Sequence, residues 1–401
     1  MKAEFTKEFF DKIVGAPETA ECLSYIKADD ENSLAELMEL VTFEAPTGAE
    51  TARACEMLRR FRELGLSETR IDKHGNVIGV RKGLGKGRIL IEAHMDTVFP
   101  FGTVTQKPEI RDGIIKCPSA DDNTRGLTVL LAVIRALDHA KIATNKDIIF
   151  AGTVREEGLG GLTGIKSVIE DMEEQPDASI SVDGGAFQDI VYLATGIRAL
   201  EYHFRGKSGH PLSVFGEASQ CAHAMGRAIA HISEIEVPLA PKTIYTVTDV
   251  QGGERGIFSV PDHVSFSINI RSDSEEELTK LEKAMDECCK RACAEENARW
   301  GKNDVSFYKE VPLVIPAGSQ EKDSFIVKAL ENVIEYLGGT PYYAKGGSCN
   351  ANIPISKGIP AVCIGSSNVD QRQHTLDEFF ITENSYKCPQ SVALLALLLA
   401  Q

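Results

Sequence analysis

Residues 91–98, IEAHMDTV, place a histidine and an aspartate two positions apart at the end of an apolar run. The preceding RILIEAH is rich in Ile and Leu and reads as a buried strand. Positions i and i+2 of a strand share a face, so His94 and Asp96 point together beyond its carboxyl end. Further acids and an imidazole stand in comparable places. SADDNTRG sets Asp121 and Asp122 before a helix, and GTVREEGLGG sets Glu156 and Glu157 after a strand. SVDGG sets Asp183 at a strand end, and QRQHTLDEFF sets His374 shortly after the strand AVCIG. Open α/β sheets bind ligands outside the carboxyl ends of their strands. His, Asp and Glu without cysteine are the ligands that a hydrolytic pair of zinc, cobalt or manganese ions would take.

Singly, each residue has an ordinary structural role. Asp121 would cap a helix, and Glu156 and Glu157 would complement a helix dipole. His94 would be a satisfied core histidine and His374 a surface loop residue. Their recurrence at corresponding strand ends is what supports a metal site. GLGGLTG resembles a dinucleotide loop only superficially, because no acidic residue follows a second strand at the required place.

The elements that must position these residues follow from periodicity. The first 70 residues read as helices, including NSLAELMELVTF and GAETARACEMLRRFRELG. NVIGV, RILIEAH, DIIFAGTV, ASISVD and DIVYLAT read as strands, with TRGLTVLLAVIRALDHA and GLTGIKSVIEDM as helices between them. Such alternation predicts a sheet covered on both faces. From about residue 195, IRALEYHFRG and HVSFSINIRS alternate strictly, as half-exposed antiparallel strands do. With the helix ASQCAHAMGRAIAHISEI, the strand TIYTVTDV and a charged helix from about Glu275 to Trp300, the order β-α-β-β-α-β predicts a ferredoxin-like domain. The α/β texture returns after VPLVIPAG. The expected organisation is a discontinuous larger domain, 1–194 with 315–401, carrying an inserted domain, 195–314.

A chain of 401 residues with 43% hydrophobic and 25% charged residues is an ordinary globular composition with ample core. Its formal net charge of -16 argues against nucleic acid and anionic membrane as partners. The ten cysteines are scattered; Cys288, Cys289 and Cys293 sit in a helical stretch and read as helix-face or core thiols. MKAEFTKEFFDKIV lacks the apolar segment of a signal peptide. SVALLALLLAQ is far shorter than the roughly 20 residues a membrane span needs. A reduced, cytoplasmic, membrane-free protein is expected.

Together HMDTV, ADDNTRG, REEGLGG, SVDGG, GKSGHP, GGERGIFSVPDHVSFSINIRS and HTLDEF resemble the dinuclear zinc peptidase and deacylase family. That family includes peptidase T, glutamate carboxypeptidase, acetylornithine deacetylase, succinyl-diaminopimelate desuccinylase and aminoacylase. The resemblance implies a larger mixed-sheet α/β zinc-peptidase domain with an inserted ferredoxin-like α+β lid and dimerisation domain. It implies two divalent ions, zinc foremost with cobalt or manganese as alternatives. Asp121 would bridge them, His94 and Asp183 would complete one site, and Glu157 and His374 the other. Asp96 would accept the second ring N–H of His94, and Glu156 would be the general base. His210 in GKSGHP would stabilise the oxyanion, often across a homodimer interface. Arg271 in INIRS would hold a substrate carboxylate through its bidentate fork. By their own spacing, His210 reads equally as a loop imidazole and Arg271 as a surface arginine.

Two stretches depart from the family pattern. Phe258 or Ser259 stands where relatives usually have asparagine, and Asn350 in GGSCNAN stands where they often have aspartate. Both positions would face substrate, with Asn350 as its contact. The expected substrate is a small peptide or an N-acyl amino acid, cleaved at its amide bond. The GGS-x-x-AN stretch favours a peptidase-T-like peptidase. The alternatives are an N-acyl amino acid deacylase of the same family, or a non-catalytic binding protein on this fold.

Overall fold

The computed structural model describes residues 5–253, 258–344, 346–367 and 372–401. Residues 254–257 of the GGERGIFSVP stretch lie outside them. The chain divides into two compact units, 1–194 with 319–401, and 195–318.

In the first unit the strands are β1 (Ser67–Ile71), β2 (Val77–Arg81), β3 (Arg88–His94), β4 (Ile110–Arg111), β5 (Ile114–Lys116), β6 (Asp147–Thr153), β7 (Ala178–Ala186) and β8 (Asp189–Val191). Eight strands, two of them from the chain's end, form a mixed sheet. Its order runs β1, β2, β6, β3, β7, then Ala361–Ser367, β8 and Tyr342–Tyr343. The central neighbours β6, β3, β7 and Ala361–Ser367 all run parallel, so their carboxyl ends meet on one edge. β3 and β6 are buried almost throughout, as strands covered on both faces must be. The helices Arg125–His139 and Lys387–Leu399 pack on this sheet, and Thr51–Glu63 packs on β1 and β2. In the C-terminal helix every residue from Cys388 to Leu399 is buried, which fits the packed-helix reading of SVALLALLLAQ. Among the described residues no helix is long and apolar enough to cross a membrane.

A small sheet was not evident from periodicity: Phe379–Ile381 pairs with β5, and β5 with β4. Its strands of two or three residues are too short to show a period. Ile115 and Phe380 from it pack with Leu34, Leu37, Val41 and Ala120, which fixes the chain just before Asp121.

The second unit contains β9 (Gly196–Arg205), β10 (Thr243–Gly252), β11 (His263–Ser272) and β12 (Ser306–Ile315), ordered β10, β11, β9, β12 and all antiparallel. The helices Cys221–Ser233 and Glu275–Trp300 pack on one face. Leu200, Tyr202, Phe204, Phe266, Ile268 and Ile270 meet Leu278, Met285, Cys289 and Cys293 there. Cys289 and Cys293 are therefore core thiols and Cys288 is packed beside them, consistent with ten free cysteines. This unit continues to Gly318 rather than ending at 314, because Ala317 is buried in its core.

We number the remaining strands β13 (Tyr342–Tyr343), β14 (Ala361–Ser367) and β15 (Phe379–Ile381).

Candidate metal centre

Four adjacent parallel strands deliver the candidate residues. His94 ends β3, Glu156 and Glu157 follow β6, Asp183 lies in β7, and His374 follows β14. His94 Nε2 stands 3.1 Å from Asp122 Oδ1 and 3.3 Å from Asp183 Oδ1. His374 Nε2 stands 3.1 Å from Asp122 Oδ2 and 3.0 Å from Glu157 Oε1. One carboxylate, that of Asp122, thus lies between two donor groups: His94, Asp122 and Asp183, and Asp122, Glu157 and His374. Within each, the potential ligand atoms lie within 4.8 Å of one another.

This geometry corrects the expectation that Asp121 would take the shared position. Asp121 Oδ2 accepts a hydrogen bond from Gln373 Nε2 at 2.9 Å, and its backbone carbonyl accepts one from Ser366. The physical reason is local backbone. Asp122 (φ -116°, ψ 100°) and Asn123 (φ -130°, ψ 33°) are not helical, and the regular helix starts only at Arg125. Asp121 is therefore not the cap of a regular helix, and the side chain thrown into the cluster is the next one along. Asn123 secures this bend by donating to Val182 O at 2.8 Å and accepting from Gly126 N at 3.1 Å. Glycine is required at 126, because a Cβ there would lie 2.2 Å from Asn123 Oδ1.

The His94 ring nitrogen expected to meet the Asp96 carboxylate lies nearer the Asp96 backbone carbonyl. His94 Nδ1 is 3.0 Å from the Asp96 carbonyl and 3.5 Å from its carboxylate Oδ1. The carboxylate accepts from the backbone N–H groups of Glu156, at 2.9 Å, and Glu157, at 3.0 Å, and from Thr47 Oγ1, at 3.0 Å. It thereby ties the β3 end to the paired glutamates. Burial pushes its carboxyl up, but His94 and these N–H groups outweigh burial and hold it below the usual range.

Glu378, in HTLDEF, was not singled out from sequence. Its Oε1 accepts from Asp121 N at 2.8 Å and Asp122 N at 3.0 Å, and its Oε2 from Ser119 N at 3.0 Å. Burial pushes its carboxyl up to about 7 against the pull of these N–H groups. An acid facing three amides of one loop has no spacing signature, since its partners lie more than 250 residues away.

The electrostatics are those of a crowded anionic pocket. Burial first, and then the neighbouring Asp183, Glu157 and Asp96, raise the Glu156 carboxyl well above its ordinary value. Burial also raises Glu157. Burial disfavours charge on Asp122 too, but hydrogen bonds from His374 and His94 hold its carboxyl low. Hydrogen bonds to Asp122 and Glu157 push His374 up to about 10, and burial only partly offsets them. Desolvation opposes charge on His94, yet Asp183 and Asp122 raise it well above normal. Carboxylates converging on histidines that must stay protonated to compensate them are suited to a cation, and the N/O donor set fits zinc, cobalt or manganese.

The other expected residues lie elsewhere. His210 and Arg271 belong to the second unit. His210 is exposed and precedes the turn Pro211–Val214, where its Nδ1 accepts from Leu212 N at 3.3 Å, leaving Nε2 as the protonated donor. Arg271 is exposed on β11 and donates to Asn269 Oδ1 at 3.0 Å. Asn350, expected as a substrate contact, is buried, and its Nδ2 donates to Glu92 Oε2 at 2.7 Å and Thr153 Oγ1 at 2.9 Å. Its amide nitrogen is engaged there, while its Oδ1 has no hydrogen-bond partner among the described residues.

Nitrogen and oxygen donors, one carboxylate common to two groups, and a glutamate held beside them make a donor set for divalent metal. Residues 90–400 match the description Peptidase family M20/M25/M40, and the chain belongs to that metal-dependent family. Over 123 residues, 31% of this chain, it is 37% identical to a Pyrococcus abyssi (strain GE5 / Orsay) protein named LysW-lysine/LysW-ornithine hydrolase. A Thermococcus kodakarensis protein of the same name is 32% identical over 123 residues. The matched stretch spans about a third of these relatives' length, 33% and 32%. In fold, the chain is similar to aminopeptidase PepT from Bacillus cereus, with a TM-score of 0.79 at 24% identity, covering 93% of this chain and 99% of that one. A Staphylococcus aureus tripeptidase has a TM-score of 0.77 at 21% identity, covering 92% and 98%. These likenesses bear out the mixed α/β fold with its inserted domain.

Proposed function

We propose that this hydrolase cleaves the amide bond of a small peptide, in the manner of a peptidase-T-like enzyme, with two divalent ions, zinc foremost. The observation that carries the reading is the Asp122 carboxylate, 3.1 Å from both His94 and His374. Asp122 with His94 and Asp183 would hold one ion, and Asp122 with Glu157 and His374 the other. When bound, the two ions polarise the scissile carbonyl and acidify a water towards neutrality.

The chain's own residues supply the rest. Glu156, with its carboxyl raised by burial, takes a proton during attack and returns it to the leaving nitrogen. Asp96 holds the Glu156 and Glu157 backbone in place, so the base keeps its position relative to the ligands. His210 Nε2–H is the donor for the oxyanion, and Arg271 binds a substrate carboxylate.

A second reading, an N-acyl amino acid deacylase, is favoured by the name that two relatives carry, LysW-lysine/LysW-ornithine hydrolase. The intact ligand set and Glu156 favour either enzyme over a non-catalytic binding protein. The test is metal content together with turnover on tripeptides, dipeptides and N-acyl amino acids. Glu156→Ala is expected to lower kcat by about 10²–10⁴-fold with metal content intact. Tripeptide preference supports the peptidase reading, and preference for acylated amino acids supports the deacylase. Full activity in Glu156→Ala removes it as the base.

A further inference from the structure

The helices of the second unit cover one face of its sheet, and alternation sends Glu201 and His203 of β9 to the other. There the His203 ring is stacked between Tyr308, at 4.6 Å, and His263, at 5.3 Å, and its side chain is only 12% exposed. Its Nδ1 meets His263 Nε2 at 3.1 Å. Its Nε2 is buried and makes no hydrogen bond within the described residues. That nitrogen lies 3.6 Å from Glu201 Oε2. Glu310 of β12 sits directly opposite Glu201 in the strand register. One donor atom from each of Glu201, His203 and Glu310 lies within 4.8 Å of the others.

Two carboxylates directly opposed across a strand pair destabilise it unless a positive group lies between them. Among the described residues no lysine or arginine pairs with either one; Ser267 Oγ donates to Glu201 Oε1 at 3.3 Å. When His203 Nδ1–H donates to His263, Nε2 offers a lone pair to the same point as the two carboxylates. Three acceptors then converge, and among the described residues the Ser267 hydroxyl is the one hydrogen-bond donor to them. Two ligands each roughly 2.1 Å from one tetrahedral ion are about 3.4 Å apart, close to the spacing of His203 Nε2 and Glu201 Oε2.

We propose that Glu201, His203 and Glu310 bind a third divalent cation of the zinc class, distinct from the pair at the sheet edge of the first unit. The imidazole selects zinc, cobalt or nickel over magnesium or calcium. His263 orients the ligand ring through its hydrogen bond. The ion ties the edge strand β12 to β9 and leaves a position for water.

The test is zinc binding by equilibrium dialysis, with melting temperature, on the full chain carrying His94→Ala and His374→Ala to disable the first centre. One equivalent of zinc and a zinc-dependent rise in Tm are expected. Adding Glu310→Gln, an exposed change on an edge strand, is expected to weaken that binding at least about tenfold and abolish the rise. His203→Gln is expected to do the same. If its stacked ring proves necessary for folding, Glu310→Gln alone decides. Overturning results are no zinc bound in the His94→Ala/His374→Ala chain, or zinc affinity and Tm response unchanged by Glu310→Gln.

Discussion

Asp121 and Asp122 are chemically identical neighbours with opposite assignments. Asp122 accepts from both histidines, whereas Asp121 faces Gln373. Asp122→Asn is therefore expected to lose metal from both sites, and Asp121→Asn to retain it, by metal analysis after gel filtration. Retention by Asp122→Asn would reverse the assignment. The same residues set a pH dependence. His374 is pushed from 6.5 to about 10 by hydrogen bonds to Asp122 and Glu157. A raised folded value means that the metal-free folded chain holds this proton more tightly than the unfolded chain does. Its contribution to metal-free stability is complete below pH 6.5 and is lost as pH rises towards 10. Metal must displace that proton, so zinc affinity is expected to rise between about pH 6 and about pH 8. Calorimetry in buffers of different ionisation enthalpy would count the protons released. A flat affinity across this range would contradict the account.

At the scale of elements, four parallel strand ends bring the ligands close, and the loops that follow aim them. The loop 119–122 has no regular hydrogen bonding of its own at Asp122, so Glu378 supplies acceptors for the Ser119, Asp121 and Asp122 amides. Glu378→Gln keeps the shape but turns one acceptor into a donor facing a donor. It is expected to cost about 1.5–3 kcal/mol by denaturant unfolding. It is also expected to weaken metal binding about 10–100-fold, although Glu378 is not a ligand. Wild-type stability and metal affinity would show that the loop holds its shape unaided.

For the whole molecule, β10 and β12 are the edge strands of the second unit's sheet among the described residues. β10 leaves Ile244 and Val250 open, and β12 leaves Val311 and Val314 open. Long edges with apolar side chains are templates for pairing unless something covers them. We propose that they contribute to a homodimer through this unit. Sedimentation velocity at working concentration is expected to give a dimer, and charged substitutions at Ile244 and Val250 to yield monomer. A wild-type monomer would rule this out. The acidic net charge of -16 identifies no partner.

Much of this architecture was legible in the sequence because it rests on periodicity and residue type. RILIEAH reads as a buried strand because both its faces are covered, and the helix Glu275–Trp300 appears with its bounds because Ser274 caps it and Gly301 ends it. His94, Glu156, Glu157, Asp183 and His374 stand out in the sequence because they lie late in or shortly after strands that alternate with helices. Tertiary structure decided what depends on direction. Which of two adjacent aspartates enters the cluster turns on backbone angles at Asp122. Asn350 is buried because Glu92 and Thr153, distant in sequence, meet it inside the sheet. Glu378 and the Glu201–His203–Glu310 group depend on loop closure and strand register, neither of which leaves a local period. Sequence alone determined which side chains could do chemistry and on which strand ends they stand. Only the folded chain decided which of them face one another, because that is fixed by dihedral angles and register over separations no local pattern encodes.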